Sequence, residues 1–137
     1  MKIMITGGCG YIGTVLTEKL IDLGHALVVV DTQWFGNYLQ HNKNLEIKKK
    51  DIRDLVFDDF KDITTIIHLA NIANDEAVEL DQNLSWEVNV FATQQISDLA
   101  IRAGVKNFIY ASSASVYGIK EEDKVTEDLQ LIPISNY

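Results

Sequence analysis

Residues 6–13 read TGGCGYIG, and the apolar run IMI at residues 3–5 stands directly before them. The pattern predicts a strand, a glycine-rich turn and the first turn of a helix, which is how a dinucleotide-binding βαβ unit begins. We expect Gly7 to permit the tight turn, Gly10 to let the backbone approach a pyrophosphate, and Gly13 to let the helix pack closely against the strand. The helix N-terminus then offers unpaired N–H groups to the phosphates. The alternative is a structural turn with no ligand.

Strands and helices are predicted to alternate along the rest of the chain. The apolar stretches predict strands at residues 2–6, 26–31, 45–49, 64–69 and 107–111, helices at 11–23 and 85–103, and a short helix or turn at 54–60. This alternation is typical of an α/β fold with a doubly wound parallel sheet. Right-handed crossovers with a switch after the third strand imply the order 3-2-1-4-5 of the Rossmann fold.

Each of the two helices is predicted to bury one face, and the remaining segments are predicted to be loops. The loops span residues 32–44 and the irregular stretch from 112 to 137. On the first helix, the apolar side consists of Val15, Leu16, Leu20 and Leu23. On the second helix, the expected core face consists of Val88, Phe91, Ile96, Leu99 and Ala100.

Composition argues against several classes of binding surface and of metal or disulfide site. The chain has 137 residues and a net charge of −8, which argues against a general nucleic-acid or anionic-membrane surface. Cys9 is the only cysteine, so an internal disulfide and a cysteine-based zinc site are excluded, and we expect its thiol to be small filler. The histidines lack motif spacing, so no metal site is predicted. No apolar run reaches membrane-span length and no signal peptide is recognised, so we expect a cytoplasmic protein.

Asp31 closes the second predicted strand, 18 positions after Gly13. An acidic residue at that place accepts hydrogen bonds from the adenosine ribose hydroxyls, and it repels the additional phosphate of NADP. Residues 32–35, TQWF, supply no cation to offset this repulsion, so NAD is the favoured cofactor. The alternative is an aspartate that only caps its own loop.

The spacing of the glycine loop resembles that of the extended branch of the short-chain dehydrogenase/reductase superfamily, the NAD-dependent sugar epimerases and dehydratases. This resemblance implies that Tyr11 and Ile12 lie at the cofactor with the three loop glycines. Residues 51–54, DIRD, are similar to a stretch of the same family. By that resemblance Asp51 accepts from the adenine amino group and Ile52 packs near the base. Taken alone, the tetrapeptide could be a solvated charge cluster.

Two further stretches are similar to the family at the centre of the chain. Residues 68–71, HLAN, resemble a His-Leu-Ala-Ala motif, which implies that Leu69, Ala70 and Asn71 line the cofactor near the nicotinamide ribose. Asn71 departs from the usual small apolar residue, and we expect the histidine before this stretch to be a packed core residue. Residues 89–93, NVFAT, resemble Asn-Val-x-Gly-Thr, with Asn89 in a structural role.

Residues 112–118, SSASVYG, are similar to the family's Ser-Ser-x-x-Val-Tyr-Gly motif. By position, Ser113 is the active-site hydroxyl, which hydrogen-bonds a substrate alcohol or a developing ketone. Sugar-nucleotide dehydratases of the family usually carry Thr-Asp-Glu where this chain has Ser-Ala-Ser. The replacement of both acids weighs against dehydration.

Residues 133–137, PISNY, resemble the run that leads into the family's Tyr-x-x-x-Lys motif, and Tyr137 matches its catalytic tyrosine. The lysine expected four positions later falls beyond residue 137. In the family that lysine lowers the pKa of the tyrosine toward neutrality, so that the phenolate acts as a base. The alternative is that Tyr137 is an ordinary residue at a chain boundary.

The chain is therefore identified as the amino-terminal part of an extended short-chain dehydrogenase/reductase. Residues 1–137 are interpreted as one NAD-binding Rossmann domain, truncated before the last strands and the substrate domain. The resemblance implies a nucleotide-sugar epimerase whose second half binds the substrate, so we expect the 137 residues alone to be inactive. The alternatives are a reductase, decarboxylase or dehydratase of the same family, or a non-catalytic NAD-binding module. The family often dimerises through its long helix, which makes a homodimer a further expectation.

Overall fold

The computed structural model describes every residue except Asn136. Five parallel strands form one sheet in the order β3-β2-β1-β4-β5, as the sequence predicts. Their bounds are β1 Lys2–Thr6, β2 Ala26–Asp31, β3 Leu45–Lys49, β4 Thr65–His68 and β5 Asn107–Tyr110. Because β1 lies at the centre, the switch between neighbouring strands falls at its carboxyl end, where ligands of such sheets bind.

The helices depart from the prediction in detail. Their bounds are α1 Tyr11–Asp22, α2 Asp75–Leu80, α3 Gln82–Ser85 and α4 Thr93–Ala103, with single 3₁₀ turns at Ile52–Asp54, Phe57–Phe60 and Ala114–Tyr117. The helix α2 was not predicted, because six residues carry too little periodicity; the Asn74 side chain caps it by accepting from the Ala77 N–H. The 3₁₀ turn at Ala114–Tyr117 likewise corrects the expectation of a wholly irregular ending.

A π-helical segment, Trp86–Ala92, joins α3 to α4. Its boundary residues Trp86 and Thr93 have right-handed helical dihedral angles, so α3, the π segment and α4 form one continuous helix, here called the long helix. The wider π turn changes which side chains point inward. The predicted core residue Phe91 is 63% exposed, and Ala92 is buried in its place. The other four predicted residues of this face are buried or packed against the core.

The two faces of the sheet bury alternate residues of each strand. One face packs Met4, Val28 and Ile66 against the long helix. The other face packs Ile5 and Val29 against α1. On α1 the buried residues are Gly13 and Thr17, whereas two of the four predicted apolar residues, Val15 and Leu23, are exposed. Small residues at the buried positions let α1 approach the glycine loop closely.

Candidate functional site

The turn after β1 is built around Gly7. This residue has a φ of +71° and its N–H donates to the Val30 carbonyl (2.8 Å). A Cβ at this position would lie 2.7 Å from the Ala70 nitrogen. The left-handed conformation and the close backbone approach both require glycine, so the predicted tight turn is present.

Gly13 has a different partner from the one predicted. A Cβ there would lie 2.5 Å from the Gly7 carbonyl oxygen and 2.5 Å from the Gly8 Cα. The first turn of α1 therefore packs on the backbone of the glycine loop that follows β1. The sequence pattern identifies the glycine correctly but cannot tell which backbone comes close to it.

The N-terminus of α1 is open toward the cleft described below. Gly10 is its N-cap, without a side-chain hydrogen bond, and the first turn carries no acidic residue. A Cβ on Gly10 would meet only the Gly7 carbonyl oxygen, at 3.3 Å, so the space beside it is free. First-turn N–H groups with no capping carboxylate and a positive dipole end suit a diphosphate. The residues present fit the cofactor that the sequence predicts.

Asp31 connects β2 to the glycine loop. Its Oδ2 accepts from the Cys9 N–H (3.0 Å) and its Oδ1 accepts from the Gln33 N–H (2.6 Å). The carboxylate therefore does cap its own loop, as the alternative reading proposed. Each oxygen retains acceptor capacity, because a carboxylate oxygen has two lone pairs, and Asp31 also lines the cleft. The Cys9 thiol beside it is buried, and burial raises its pKa to about 11, which leaves it neutral.

A cleft of about 900 Å³ lies at the carboxyl ends of the strands. Every residue that the sequence assigns to the cofactor lines it. These are Gly7, Gly10, Tyr11, Ile12, Gly13, Asp31, Asp51, Ile52, Leu69, Ala70 and Asn71. The structure thus brings together four segments that are distant in sequence, because parallel strands all end at one edge of the sheet.

Asp51 is held by Arg53 rather than left solvated. Its carboxylate accepts from the Arg53 N–H (2.9 Å), Nε (3.1 Å) and Nη2 (2.8 Å), and these hydrogen bonds hold the pKa of Asp51 below its usual range. Arg53 also donates to Glu87 (2.6 Å) and so joins this turn to the long helix. Ile52 between them is buried.

His68 is a packed core histidine, as predicted. Its Nδ1 lies 2.6 Å from Thr6 Oγ1 and its Nε2 lies 2.9 Å from Thr93 Oγ1. The ring thereby links β1, β4 and α4, one residue before Leu69 of the cleft lining. Burial lowers the pKa of His68 to about 4, so the ring is neutral at pH 7.

Asn89 fixes the loop that follows β4. Its Nδ2 donates to the Ile72 carbonyl (3.0 Å) and its Oδ1 accepts from the Ile72 N–H (2.7 Å). Satisfying both peptide groups of one residue immobilises that residue. Ile72 lines the cleft next to Asn71. The structural role expected of Asn89 therefore has a defined partner, which the sequence did not reveal.

The two predicted catalytic residues lie in the last segment. Ser113 Oγ accepts from the Ser115 N–H (3.2 Å) and caps the turn at Ala114–Tyr117, and it is not among the residues that line the cleft. Its neighbour Ser112 and the predicted base Tyr137 do line it. The Ile132 N–H donates to the Val116 carbonyl (3.0 Å), so the segment folds back on itself before Tyr137.

Sequence reasoning missed the aromatic and basic members of the cleft wall. Trp34, Phe35 and Tyr38 line it, as does Lys50. The signal for the aromatic members is the pair Trp34-Phe35, which begins three positions after Asp31. Lys50 Nζ lies 2.6 Å from Asp59 Oδ2, so its charge is paired.

Two negative findings apply to the part of the chain that the structure describes. None of its helices is long and apolar enough to cross a membrane. Its histidine, cysteine and acidic side chains form no group of three or more that could hold a metal ion.

A parallel sheet with a glycine-rich turn between β1 and α1, and an acidic residue at the end of β2, defines a dinucleotide-binding α/β domain. The chain belongs to the NAD dependent epimerase/dehydratase family, whose model matches residues 3–137.

Curated relatives are similar over all or nearly all of the chain. The UDP-glucose 4-epimerase of Corynebacterium glutamicum is 29% identical over 100% of the chain, and that of Bacillus subtilis is 31% identical over 96%. The matched region is 42% of either relative, so the chain spans less than half of their length.

Solved structures agree with the fold. The UDP-N-acetylglucosamine 4-epimerase of Methanobrevibacter ruminantium superposes with a TM-score of 0.93 at 26% identity, over 99% of this chain and 45% of that one. The Thermus thermophilus UDP-glucose 4-epimerase in complex with NAD gives 0.90 at 27%, over 100% and 46%. The dTDP-glucose 4,6-dehydratase DesIV of Streptomyces venezuelae, with NAD bound, gives 0.92 at 25%, over 100% and 47%. Epimerases and dehydratases thus share this domain.

Proposed function

We propose that this chain is the NAD-binding part of a nucleotide-sugar 4-epimerase. The observation that carries the proposal is that the glycine loop, the open N-terminus of α1 and Asp31 line one and the same cleft. The epimerase relatives named above support the activity, and the NAD complexes among the similar structures support the cofactor.

The residues divide along the cleft by the part of NAD that each would hold. The backbone of Gly10 and of the first turn of α1 would bind the diphosphate. Asp31 would accept from the adenosine ribose hydroxyls, and Asp51 would accept from the adenine amino group. Among the described residues of the cleft lining, Lys50 is the one cation, and its pairing with Asp59 leaves Asp31 free to exclude the phosphate of NADP.

Tyr137 and Ser113 are proposed as the acid/base pair of the reaction. Tyr137 would remove a proton from a sugar hydroxyl, and Ser113 would donate a hydrogen bond to the same oxygen. The lysine that the family places four positions after this tyrosine would lower its pKa. NAD, when bound, supplies the acceptor and donor of a hydride.

The residues around Ser113 favour epimerisation over dehydration. Water loss from a sugar needs a general acid and a general base close to the reacting carbons. The turn at Ala114–Tyr117 carries no carboxylate. We therefore keep dehydration, together with reduction and decarboxylation, as the alternatives that the experiment separates.

The full-length protein is incubated with UDP-glucose and NAD, and the products are resolved by chromatography while absorbance at 340 nm is followed. We expect the 4-epimer to accumulate with no net formation of NADH, since the hydride is returned. Net NADH would indicate oxidation or oxidative decarboxylation. A 4-keto, 6-deoxy product would indicate a dehydratase, and either result would refute the epimerase assignment.

A homodimer and a cytoplasmic location are parts of the same proposal. The exposed apolar residues Val90, Phe91 and Ile101 of the long helix support the dimer, because such a surface is suited to packing against another helix. Sedimentation of the full-length protein tests it.

A further inference from the structure

Three aromatic side chains stand exposed in the loop that follows β2. Trp34 is 59% exposed, Phe35 86% and Tyr38 71%, and all three line the cleft. Contiguous exposed apolar surface on a folded domain marks a place where something binds. Because these rings line the cleft, we expect them to contact the ligand that the cleft binds.

The turn that carries these rings is held at several points, and residues 33–38 are here called the aromatic turn. The Gln33 N–H donates to Asp31 Oδ1 (2.6 Å), and the Gly36 N–H donates to the Gln33 carbonyl (3.1 Å). Asn37 Oδ1 accepts from the Leu39 N–H (3.0 Å) and lies 3.7 Å from the Cys9 Sγ. A backbone anchored in this way presents its rings with little further loss of entropy on binding.

The position of the turn identifies the half of the dinucleotide that it meets. It follows β2, next to Asp31, and the neighbouring β3 leads into Asp51 and Ile52. The strand β5 lies at the opposite edge of the sheet, and the segment that carries Ser113 and Tyr137 follows it. The aromatic turn is therefore on the adenosine side of the cleft and away from the reacting end.

We propose that Trp34 stacks on the adenine of NAD, and that the aromatic turn is a second, apolar recognition element beside the hydrogen-bonding carboxylates. This inference rests on the proposed function. Adenine has two flat apolar faces, and Ile52 offers a buried aliphatic surface at the same end of the cleft. Trp34 is the largest and the least exposed of the three rings. Its indole covers one face of the base, and Phe35 and Tyr38 shield the edge from water.

The first test measures affinity for ADP-ribose, which contains the adenosine half without nicotinamide. Calorimetry is carried out on the full-length protein freed of nucleotide. Loss of one base–aromatic stack weakens binding about ten-fold to one-hundred-fold, so we expect Trp34→Ala to bind ADP-ribose and NAD more weakly by that factor. The matched control is Trp86→Ala in the π segment, a similarly exposed tryptophan outside the cleft lining, which should bind as the wild type does.

The second test separates stacking from hydrogen bonding. Deamino-NAD carries hypoxanthine, which has the same flat ring but lacks the amino group. Since stacking does not read hydrogen-bond donors, Trp34→Ala should weaken NAD and deamino-NAD by the same factor. Asp51→Asn should instead change the ratio of the two affinities.

Tryptophan emission provides a readout independent of affinity. ADP-ribose should change the emission of the wild type and of Trp86→Phe by the same amount, and the change should be clearly smaller in Trp34→Phe, whatever other tryptophans the full-length protein carries. Unaltered affinity of Trp34→Ala, or an emission change in Trp34→Phe as large as that of the wild type, would overturn the inference. Failure of the wild type to bind either NAD or ADP-ribose would instead refute the proposed function itself.

Discussion

His68 makes the free energy of unfolding of this domain depend on pH. Burial lowers its pKa from 6.5 to about 4 in the folded protein. The unfolded chain therefore takes up a proton on this ring below pH 6.5, whereas the folded protein resists it. The stabilising contribution is fully present above pH 6.5 and is lost as the pH falls toward 4. Between pH 7 and pH 5 the loss of unfolding free energy is about 2 kcal/mol.

The measurement is guanidinium unfolding at pH 7 and pH 5, followed by circular dichroism. The wild type is compared with His68→Gln, whose amide retains hydrogen-bonding groups for Thr6 and Thr93 but does not titrate. The pH dependence should be about 2 kcal/mol smaller in the variant. Carboxylates such as Asp51 and Asp59, whose pKa values lie below 3.8 in the fold, do not contribute within this window.

A matched control is His41→Gln, because His41 is exposed in the loop before β3 and makes no part of the core. It should leave the pH dependence of unfolding unchanged. Equal pH dependence in the wild type and in His68→Gln would show that the reasoning about burial is wrong.

Four further predictions concern the cleft. The first three are tested on the full-length protein and the fourth on residues 1–137 alone. Gly10→Val should abolish NAD binding in calorimetry while the circular dichroism spectrum stays close to wild type, because the added side chain enters open space beside the phosphate site. Asp31→Ala should narrow the preference for NAD over NADP by about 1–2 kcal/mol, the value of one charge-assisted hydrogen bond. Tyr137→Phe should remove nearly all epimerase activity and Ser113→Ala should reduce it strongly. A wild-type rate in either variant would refute the assignment of that residue to the acid/base pair. Residues 1–137 alone should show no turnover with nucleotide sugars, and measurable turnover would refute the need for a lysine and a substrate domain.

The sheet was predictable from sequence because its signals are local and redundant. Buried parallel strands are apolar on both faces, and the handedness of crossovers leaves few strand orders. The cleft followed from the same topology, since Asp31, Asp51 and Leu69 all stand where strands end. Their positions at the ends of parallel strands are enough to bring them together, whatever their side chains contact.

The features that escaped prediction depend on tertiary contacts. The exchange of Phe91 for Ala92 in the core follows from π-helical geometry, which residue periodicity does not encode. The partner of Asn89 is a peptide group 17 positions earlier, and no side-chain pattern marks a backbone partner. Trp34 was visible in the sequence, but its place in the cleft wall depends on how Asp31 anchors the turn.

The π segment takes up one residue more than an ordinary α-helix needs for the same rotation, because its turns hold more residues than α turns do. A deletion of one residue between 86 and 92 would therefore let that stretch rewind as ordinary α-helix, with α3 and α4 kept near their present orientation. The change would fall on the segment itself, where Asn89 holds the peptide groups of Ile72 and Val88 is buried. The additional residue thus acts on the loop after β4 through Asn89, whereas the packing of Ile96 and Ala100 on α4 is independent of it.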